Sequence, residues 1–489
     1  SAVELKSHDA AKHYGLAVVL AKLDQLPEAV QSYRRAVALA PDFVHAYNNL
    51  GGLLMQLGRV DEAIECYSRA VALDPSFAEA YNNLGLALVR QNKLDDAMAS
   101  YHRAIERKAN YGNAYHNLGI ALTSADRFAE AQPCYARAIE IDGDRAASHY
   151  NLAFVLSQLN EIEASAAACR RAIAIEPDNA PAHFSLATAL LTLGTFAEGW
   201  GEYEWRLMQP HHRGREFAVP RWNGEPLEGK TILLVSEQGL GDTLQFIRYA
   251  PLVKARVSNL VVECPPNLAR LIQRSAGVDH VISSGEPLPE FDVYAHLGSL
   301  PRIFETSPTT IPASAPYLWP EDTLVETWQG QFAGLRGLKI GIAWQGNPAN
   351  PKDRFRSIPL AQFAALMRVP GIHWHSLQMG AGREQLTLER MPIVDLEDRL
   401  GDLHNTAAIM RHLDLVITCD SSAAHLAGAL GMPVWVALAY APDWRWMLDR
   451  ADTPWYPTMR LFRQERPGDW SGVFNAIAAE LAAFAASSG

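Results

Sequence analysis

The sequence predicts an α-helical repeat solenoid followed by two doubly wound α/β domains with parallel sheets. Two patterns predict this fold class. A motif spaced 34 residues apart runs through about the first two hundred residues, and short apolar strands alternate with helical segments from Lys230 onward. The 489 residues correspond to about three domains at roughly 150 residues each, and an apolar fraction of 48% suffices for ordinary cores. Disordered proteins and small disulfide scaffolds are therefore excluded.

The composition also limits which binding partners and which cellular compartment are expected for the protein. With 43 Lys and Arg against 54 Asp and Glu, the net charge of −11 argues against a nucleic-acid partner. The five cysteines are odd in number and never form a CxxC pair, which favours a reducing, cytoplasmic compartment. The longest uncharged run, residues 425–442, is interrupted by glycine and proline, so no membrane span is expected.

The first element in order is the repeat array. The six-residue motif of residues 46–51 (Ala-Tyr-Asn-Asn-Leu-Gly) returns with decreasing fidelity, at 80–85, 114–119, 148–153 and 182–187, and residues 12–17 form a degenerate first copy. A single helix pair cannot bury its own apolar face, so the repeats must stack on one another. We therefore predict about six helix pairs over residues 8–207, wound into a right-handed superhelix.

One polar residue recurs directly before the packed leucine of each motif, at Asn49, Asn83, Asn117 and Asn151. These amides either satisfy a neighbouring turn or form a ladder of carboxamides that binds the backbone of an extended peptide. The array resembles the tetratricopeptide repeat (TPR) array of the eukaryotic O-GlcNAc transferase. That resemblance implies that the four asparagines bind a protein acceptor along a concave face, whatever its side chains.

An irregular connector is expected over residues 208–228. It is followed by one Rossmann-like domain over 229–320 and a second over 336–467, and the chain closes with a helix over 468–489. Predicted strands lie at 231–235, 259–263, 278–282, 292–294, 338–344, 372–377, 415–418 and 434–438. In open parallel sheets ligands bind outside the carboxyl ends of the strands, so the loops that follow the strands are expected to carry the functional residues.

The loop after the first strand carries a Gly-x-Gly-Asp turn, with Gly239, Gly241, Asp242, Thr243 and Gln245 as candidate ligand contacts. Glycines let backbone amides approach a ligand, and helix N-termini favour negative charge. Asp242 is either a simple helix cap or a functional carboxylate.

The loop after the fifth predicted strand offers a second set of candidates, which are Trp344, Gly346, Asn347, Arg354, Arg356 and Ser357. Its two arginines carry planar forks suited to phosphate, or they make surface salt bridges. Gln378, after the next strand, and Trp344 are candidate nucleoside contacts, and the alternative for either side chain is a position in the core.

A third set of candidates comprises Asp420, Ser421, Ser422 and His425, where a strand runs into a helix rich in small residues. Amides and hydroxyls at such a helix start can cradle a diphosphate, or the helix is merely capped. His425 is assigned equally to packing and to ligand contact. In the last loop, Asp443 and Trp444 either shape an acceptor or sugar pocket or form an aromatic packing cluster.

Together these segments resemble the bacterial heptosyltransferase-type GT-B glycosyltransferases. Their combination with the repeats resembles bacterial relatives of O-GlcNAc transferase, including the flagellin glycosyltransferases. The resemblance implies that Asp242 is the catalytic base, that Arg356 faces the donor phosphates and that Asp420, Ser421, Ser422 and His425 line the donor site. It implies a UDP- or CMP-linked sugar as donor and a flagellin-like protein as acceptor.

We expect no metal cofactor, because no Asp-x-Asp pair follows residue 144 to hold a divalent cation against a diphosphate. The resemblance implies an inverting transfer to Ser or Thr hydroxyls. Three alternatives stay open: a catalytically degenerate protein-binding scaffold, a GT-B sugar-nucleotide epimerase and a lipopolysaccharide transferase. The last is disfavoured because no basic amphipathic face for a membrane is evident.

Overall fold

The computed structural model describes residues 2–209 and 217–488, so residues 210–216 of the predicted connector lie outside the described residues. The chain divides into two compact units, Ser1–Asn179 and Ala180–Gly489. Within the described residues no helix is both long and apolar enough to cross a membrane. The predicted fold class is confirmed: helical repeats come first, and parallel α/β sheets follow.

The first unit consists of helices that each pack on the next along the chain. Their bounds are α1 (Ala2–Lys22), α2 (Leu26–Leu39), α3 (Val44–Gln56), α4 (Val60–Leu73), α5 (Ala78–Arg90), α6 (Leu94–Arg107), α7 (Gly112–Ser124), α8 (Phe128–Ile141), α9 (Ala146–Gln158) and α10 (Ile162–Ile175). Alternate helices also touch, α3 with α5, α5 with α7 and α7 with α9, which is the stacking that the repeat predicts.

A glycine–tyrosine contact is built into successive repeats of this unit. A Cβ atom added to Gly85 would lie 2.5 Å from the ring of Tyr101, and Gly51 and Gly119 face Tyr67 and Tyr135 in the same way. The motif therefore ends in glycine because the tyrosine of the following helix lies against the backbone. In the next repeat both positions change together, to Ala153 and Cys169, which is the change expected if a smaller thiol leaves room for the added methyl group.

The second unit begins with the last helix pair, α11 (Ala180–Thr192) and α12 (Phe196–Tyr203), and a 3₁₀ helix over Glu204–Met208. Phe196, Trp200 and Tyr203 are buried in the same core as residues of both sheets. The sixth helix pair therefore packs as part of the α/β unit.

The first sheet is parallel, with strand order β3-β2-β1-β4. Its elements are β1 (Leu227–Val235), α13 (Leu240–Phe246), α14 (Ala250–Lys254), β2 (Val257–Cys264), α15 (Pro266–Ile272), β3 (His280–Ser283), β4 (Val293–His296) and α16 (Leu300–Ile303). Because β1 pairs with β2 on one side and with β4 on the other, the strand order reverses at β1.

The second sheet is also parallel, with order β10-β9-β8-β5-β6-β7. Its elements are α17 (Asp322–Phe332), β5 (Leu338–Ala343), α18 (Asp353–Arg356), β6 (Ile372–Ser376), α19 (Glu384–Glu389), β7 (Ile393–Asp395), α20 (Glu397–Leu400), α21 (Leu403–Met410), β8 (Leu415–Cys419), α22 (Ser422–Ala429), β9 (Val434–Leu438), β10 (Met459–Arg463) and α23 (Ser471–Ser488). Here the order reverses between β5 and β8.

Candidate functional site

The candidate loops lie at the points where the strand order reverses. The turn that leads into Asp242 on α13 follows β1, the loop carrying Gly346 follows β5, and Asp420 follows β8. Helices α13 and α22, which begin at these edges, pack directly against each other. The carboxyl edges of the two sheets therefore meet, which is the arrangement that places ligands in a crevice between Rossmann-like sheets.

Asp242 sits in the first turn of α13, and both of its carboxylate oxygens have partners. Oδ2 accepts a hydrogen bond of 2.9 Å from the backbone N–H of Gly239, which caps the start of the helix. Oδ1 accepts from the guanidinium of Arg445, on the loop after β9. The side chain is 23% exposed, so the carboxylate also remains accessible to solvent.

The glycine next to Asp242 serves packing between the two helices. A Cβ atom on Gly241 would lie 2.7 Å from Cδ2 of His425 on α22. The imidazole donates to or accepts from the hydroxyl of Tyr456 through Nδ1 at 2.8 Å and stacks on Trp446. Burial lowers the pKa of His425 far below its ordinary value, so the ring is neutral. The structure thus places Gly241 and His425 in the contact between α13 and α22.

Two of the predicted ligand contacts on α13 are enclosed and need correction. Thr243 is 1% exposed and its hydroxyl donates to the Gly239 carbonyl at 3.4 Å. Gln245 is fully buried, and its amide oxygen accepts from Arg445. Neither side chain is exposed to a bound phosphate, although the amide nitrogen of Gln245 has no hydrogen-bond partner within the described structure.

Arg445, which the sequence reasoning did not select, is the centre of this site. Its guanidinium bonds to Asp242 and Gln245 on α13 and to Asp443 on its own loop, the last at 2.6 Å. Burial raises the pKa of Asp443, but Arg445 and Lys352 outweigh that effect and hold the pKa below its usual range. The sequence signal for Arg445 was an arginine between two tryptophans in a loop that follows a strand.

A buried ion pair fixes the chain that leads into Asp242. The guanidinium of Arg206, which is fully buried, contacts the carboxylate of Glu237 at 2.8 Å and the hydroxyl of Ser299 at 2.9 Å. Tyr203 donates to the side-chain oxygen of Gln238 at 2.8 Å. The end of α12 and the 3₁₀ helix after it therefore hold the loop that precedes Gly239.

The loop after β5 is closed on itself by a buried aspartate. Asp353 accepts from the Ser357 hydroxyl at 2.9 Å and from Arg356 at 3.3 Å, and Ser357 in turn accepts from the N–H of Gly346 at 3.1 Å. The Arg356 side chain remains 25% exposed. Its charge opposes the rise of the pKa of Asp420, so the two side chains are electrostatic neighbours.

The remaining polar candidates of this loop lie on its surface. Asn347 is exposed and accepts from the N–H of Ala349 at 3.0 Å, as in an Asx turn. Arg354 is exposed, with its guanidinium 4.7 Å from the centre of the Phe355 ring. Of the two arginines, Arg356 is the one whose charge acts on Asp420, just before the start of α22.

Trp344 and Gln378 are core residues, so the prediction that they contact a nucleoside is wrong. Trp344 is fully buried, and its indole N–H donates to the Gly382 carbonyl at 3.1 Å. The Gln378 side chain is buried and bonds to the backbone N–H groups of Trp344 and Gln345, both at 3.0 Å. The indole N–H of Trp344 and the carboxamide of Gln378 form hydrogen bonds that hold the loop together.

The start of α22 carries Asp420, Ser421 and Ser422, as the sequence places them. Ser421 is buried with its hydroxyl 3.2 Å from that of Thr418, while Ser422 is partly exposed. Burial raises the pKa of Asp420, the carboxylate of Asp443 raises it further, and Arg356 opposes both. A carboxyl group that is readily protonated repels a bound phosphate less than an ordinary aspartate does.

Trp444 belongs to an aromatic cluster, so its predicted role in acceptor binding is corrected. It is 4% exposed, and its ring centre lies 5.4 Å from that of Trp200, 5.9 Å from Tyr203 and 5.8 Å from Trp455. Asp443, its neighbour, keeps 29% of its side chain exposed beside Arg445. Only the aspartate of this pair is accessible.

The asparagines of the first unit bond to one another across repeats. Asn83 donates to Asn48 at 3.0 Å, Asn117 donates to Asn82 at 2.9 Å, and Asn49 donates to the hydroxyl of Tyr14 at 2.9 Å. We call these residues, with Tyr14, the amide chain. It stops where His116 takes the position of Asn48 and Asn82 and bonds instead to Ser148 at 2.9 Å.

Asn151 makes none of these cross-repeat bonds, because the residue 35 positions before it is His116, which bonds to Ser148 instead. The four predicted ladder residues are all partly exposed. In Asn49, Asn83 and Asn117, however, one donor of the carboxamide is used within the array. Binding of a peptide backbone by these positions stays a prediction.

A cavity of about 580 Å³ lies apart from the predicted site residues. It is lined by Arg270, Gln273, Arg274, Trp319 and Glu321. Within the ranges that the structure describes, no cluster of three or more His, Cys, Asp or Glu side chains is arranged to bind a metal ion.

Comparison with known proteins identifies the repeats. Models of the tetratricopeptide repeat match residues 20–58, 51–92, 77–110 and 116–180. Among curated proteins, Protein FlbA of Caulobacter vibrioides is 28% identical over 328 residues, which cover 61% of this chain. The chain spans about half the length of that relative, 54%.

Several solved structures are similar to part of the chain. MamA is 22% identical and YrrB, a TPR protein with an unusual peptide-binding site, is 18% identical. The similarity covers 35% and 38% of this chain and 94% and 95% of those chains, with TM-scores of 0.33 and 0.34. Scores this low add nothing to the repeat assignment, which rests on the family models and on the helices. This chain therefore carries TPR repeats followed by Rossmann-like α/β sheets.

Proposed function

We propose that the protein is a glycosyltransferase that moves a sugar from a UDP- or CMP-linked donor to Ser or Thr hydroxyls of a protein. The observation that carries the proposal is the meeting of two strand-reversal points. Asp242, after β1, lies on a helix packed against α22, whose start carries Ser421 and Ser422 with Arg356 beside it. The edge of the first sheet carries the Asp242 carboxylate. The edge of the second sheet carries backbone amides, serine hydroxyls and the Arg356 guanidinium.

In this proposal one set of residues stabilises the leaving group and another activates the nucleophile. The N–H groups at the start of α22, the hydroxyl of Ser422 and the charge of Arg356 stabilise the phosphate that leaves the sugar. Asp242 accepts the proton of the acceptor hydroxyl in a single displacement with inversion. Cations and helix amides can meet the leaving-group charge without a metal ion, so we propose a metal-independent reaction.

In the same proposal the repeats bind the acceptor protein. TPR arrays form extended surfaces suited to proteins, and the partly exposed Asn49, Asn83, Asn117 and Asn151 keep part of their hydrogen-bonding capacity. A flagellin-like acceptor and a cytoplasmic location belong to the proposal. The location is supported by the five cysteines, none of which is in a disulfide.

A second candidate function is a protein-binding scaffold whose α/β unit has lost catalysis. The ion pair between Asp242 and Arg445 favours it, because a carboxylate oxygen that accepts from a guanidinium is not free to contact an acceptor hydroxyl. Transfer distinguishes the two candidates: a scaffold binds a peptide but turns over none of a panel of sugar nucleotides.

The test is transfer from a panel of radiolabelled sugar nucleotides to protein, with wild type and Asp242→Asn. We expect the substitution to lower turnover by about 10²- to 10⁴-fold, because the general base is lost, without weakening nucleotide binding. Asp452→Asn, at a side chain 70% exposed beside Arg450, is the matched control and should keep full turnover. Equal turnover by Asp242→Asn and wild type would refute the assignment of the base.

A further inference from the structure

Arg445 joins two groups that belong to different sheets. Its side chain is only 10% exposed, and three of its nitrogens are engaged: Nη2 with Asp242, Nε with Gln245 and Nη1 with Asp443. The guanidinium also lies 4.3 Å from the centre of the Trp444 ring. A lysine has a single ammonium group and cannot make this fan of bonds.

The loop of Arg445 lies next to the start of α22 as well. Trp446, one residue on, stacks on His425 of α22 with ring centres 5.5 Å apart. Asp443, two residues back, acts electrostatically on Asp420, the residue that precedes the serines. One buried cation is thus within electrostatic reach of Asp242 and of the proposed phosphate site.

The charges around Arg445 decide what a bound anion would do. In the free protein, Asp242 and Asp443 share its single positive charge. A diphosphate at the start of α22 brings about two or more further negative charges, and it would compete with these carboxylates for the guanidinium. Binding at the phosphate site and the pairing of Asp242 are therefore linked, and such a link is reciprocal.

Resting on the function proposed above, we propose that Arg445 is a positioning residue shared by Asp242 and the phosphate site. It orients the carboxylate in the free protein and contributes its charge to a diphosphate at the start of α22. Occupation of the phosphate site then loosens the pairing of Asp242 with Arg445 and frees a carboxylate oxygen to contact the acceptor hydroxyl. A donor bound first prepares the base for the acceptor hydroxyl.

The experiment is calorimetric titration of the full chain with inorganic pyrophosphate in EDTA, which needs no knowledge of the sugar. Asp242→Asn releases the guanidinium from one carboxylate, so we expect pyrophosphate to bind at least about threefold more tightly. Arg445→Met should weaken binding at least about tenfold, with Arg445→Lys in between. In the Arg445→Met background, Asp242→Asn should change nothing.

Asp443→Asn is a second variant that tests the same coupling if Arg445→Met does not fold. It preserves shape, releases the same guanidinium and should also tighten pyrophosphate binding. The inference is overturned if pyrophosphate does not bind, if Asp242→Asn leaves its affinity unchanged, or if the effect of Asp242→Asn persists without Arg445. Sugar transfer without this coupling would overturn the inference alone, whereas coupling without transfer would support it and refute the proposed function.

Discussion

The two units differ in how each uses its residues. In Ser1–Asn179 the same contacts return from repeat to repeat, such as Gly85 against Tyr101 and Asn83 against Asn48. In Ala180–Gly489 the functional candidates occur once, and a single side chain, Arg445, serves several partners. Repetition spreads stability over many equivalent contacts, whereas the α/β unit concentrates charge at one place. The predictions below test that difference.

The largest expected effect is a difference in acid stability between the units. Burial lowers the pKa of His296 to about 3 and of His375 to about 4, and it also lowers the pKas of His404 and His425. In the described part of the first unit, only His116 is affected in this way, with a pKa of about 4. Below about pH 6.5 these histidines bind more protons in the unfolded chain than in the folded one. Their contribution to the free energy of unfolding is therefore fully present above that pH and is lost as the pH falls toward 4.

Between pH 6.5 and 5, His296 and His375 each lower the free energy of unfolding by about 1.5 kcal/mol. Glu237 and Asp420, whose pKas burial raises, offset part of this cost in the second unit. All 12 tryptophans lie in the second unit, so their fluorescence reports on it alone. We expect the fluorescence transition at a higher pH than the main loss of helical circular dichroism.

His375→Leu is the matched variant for this prediction. Neither ring nitrogen of His375 has a partner within the described structure, so the substitution sacrifices no hydrogen bond. It should move the fluorescence transition to lower pH and leave the helical transition in place. Coincident transitions in the wild type would contradict the proposed difference between the units.

A smaller effect is expected from Gly85→Ala in the first unit. The added methyl group would lie 2.5 Å from the Tyr101 ring, and such overpacking costs about 1 to 3 kcal/mol. Urea unfolding followed by circular dichroism measures the loss. Gly52→Ala, whose Cβ atom would lie 3.7 Å from the Tyr67 hydroxyl, is the control and should be neutral or stabilising.

The pair Gly85→Ala with Tyr101→Cys reproduces the combination found at Ala153 and Cys169. The double variant should be less destabilised than the sum of the two single variants, because the smaller side chain relieves the clash. Simple additivity would show that the glycine is not there to admit the tyrosine.

The smallest effect is expected in the amide chain. Asn83→Ala removes bonds to Asn48 and Asn82 and should cost about 1 kcal/mol of unfolding free energy. Asn151→Ala, at a residue outside the amide chain, should stay within about 0.5 kcal/mol of the wild type in the same urea titration. Equal losses would mean that the cross-repeat bonds add no stability.

The sequence was sufficient for the fold class, because the 34-residue period and the apolar strand runs are local patterns. Two edge strands could not be predicted from the sequence, for physical reasons. Ile393–Asp395 has three residues and only partial burial, and Met459–Arg463 carries two arginines. Neither has the continuous apolar run that marks a strand covered on both faces.

The candidate site was predictable only as far as its loops. Residues that follow strands were selected correctly as segments, but the direction of each side chain depends on distant contacts. Trp344 and Trp444 face the core, which local pattern cannot distinguish from facing a crevice. Arg445 escaped because Asp242 lies 203 positions away in the chain.

The central claim is that the start of α22, with Arg356 beside it, binds the phosphate tail of a sugar nucleotide without a metal ion. The most direct measurement is calorimetric titration in EDTA with UDP, ADP, GDP and CMP, comparing wild type, Arg356→Ala and the exposed control Arg354→Ala. We predict that at least one nucleotide binds the wild type, that Arg356→Ala weakens it about tenfold or more, and that Arg354→Ala changes little. Binding that requires a divalent cation, or equal affinity in Arg356→Ala and wild type, would contradict the account.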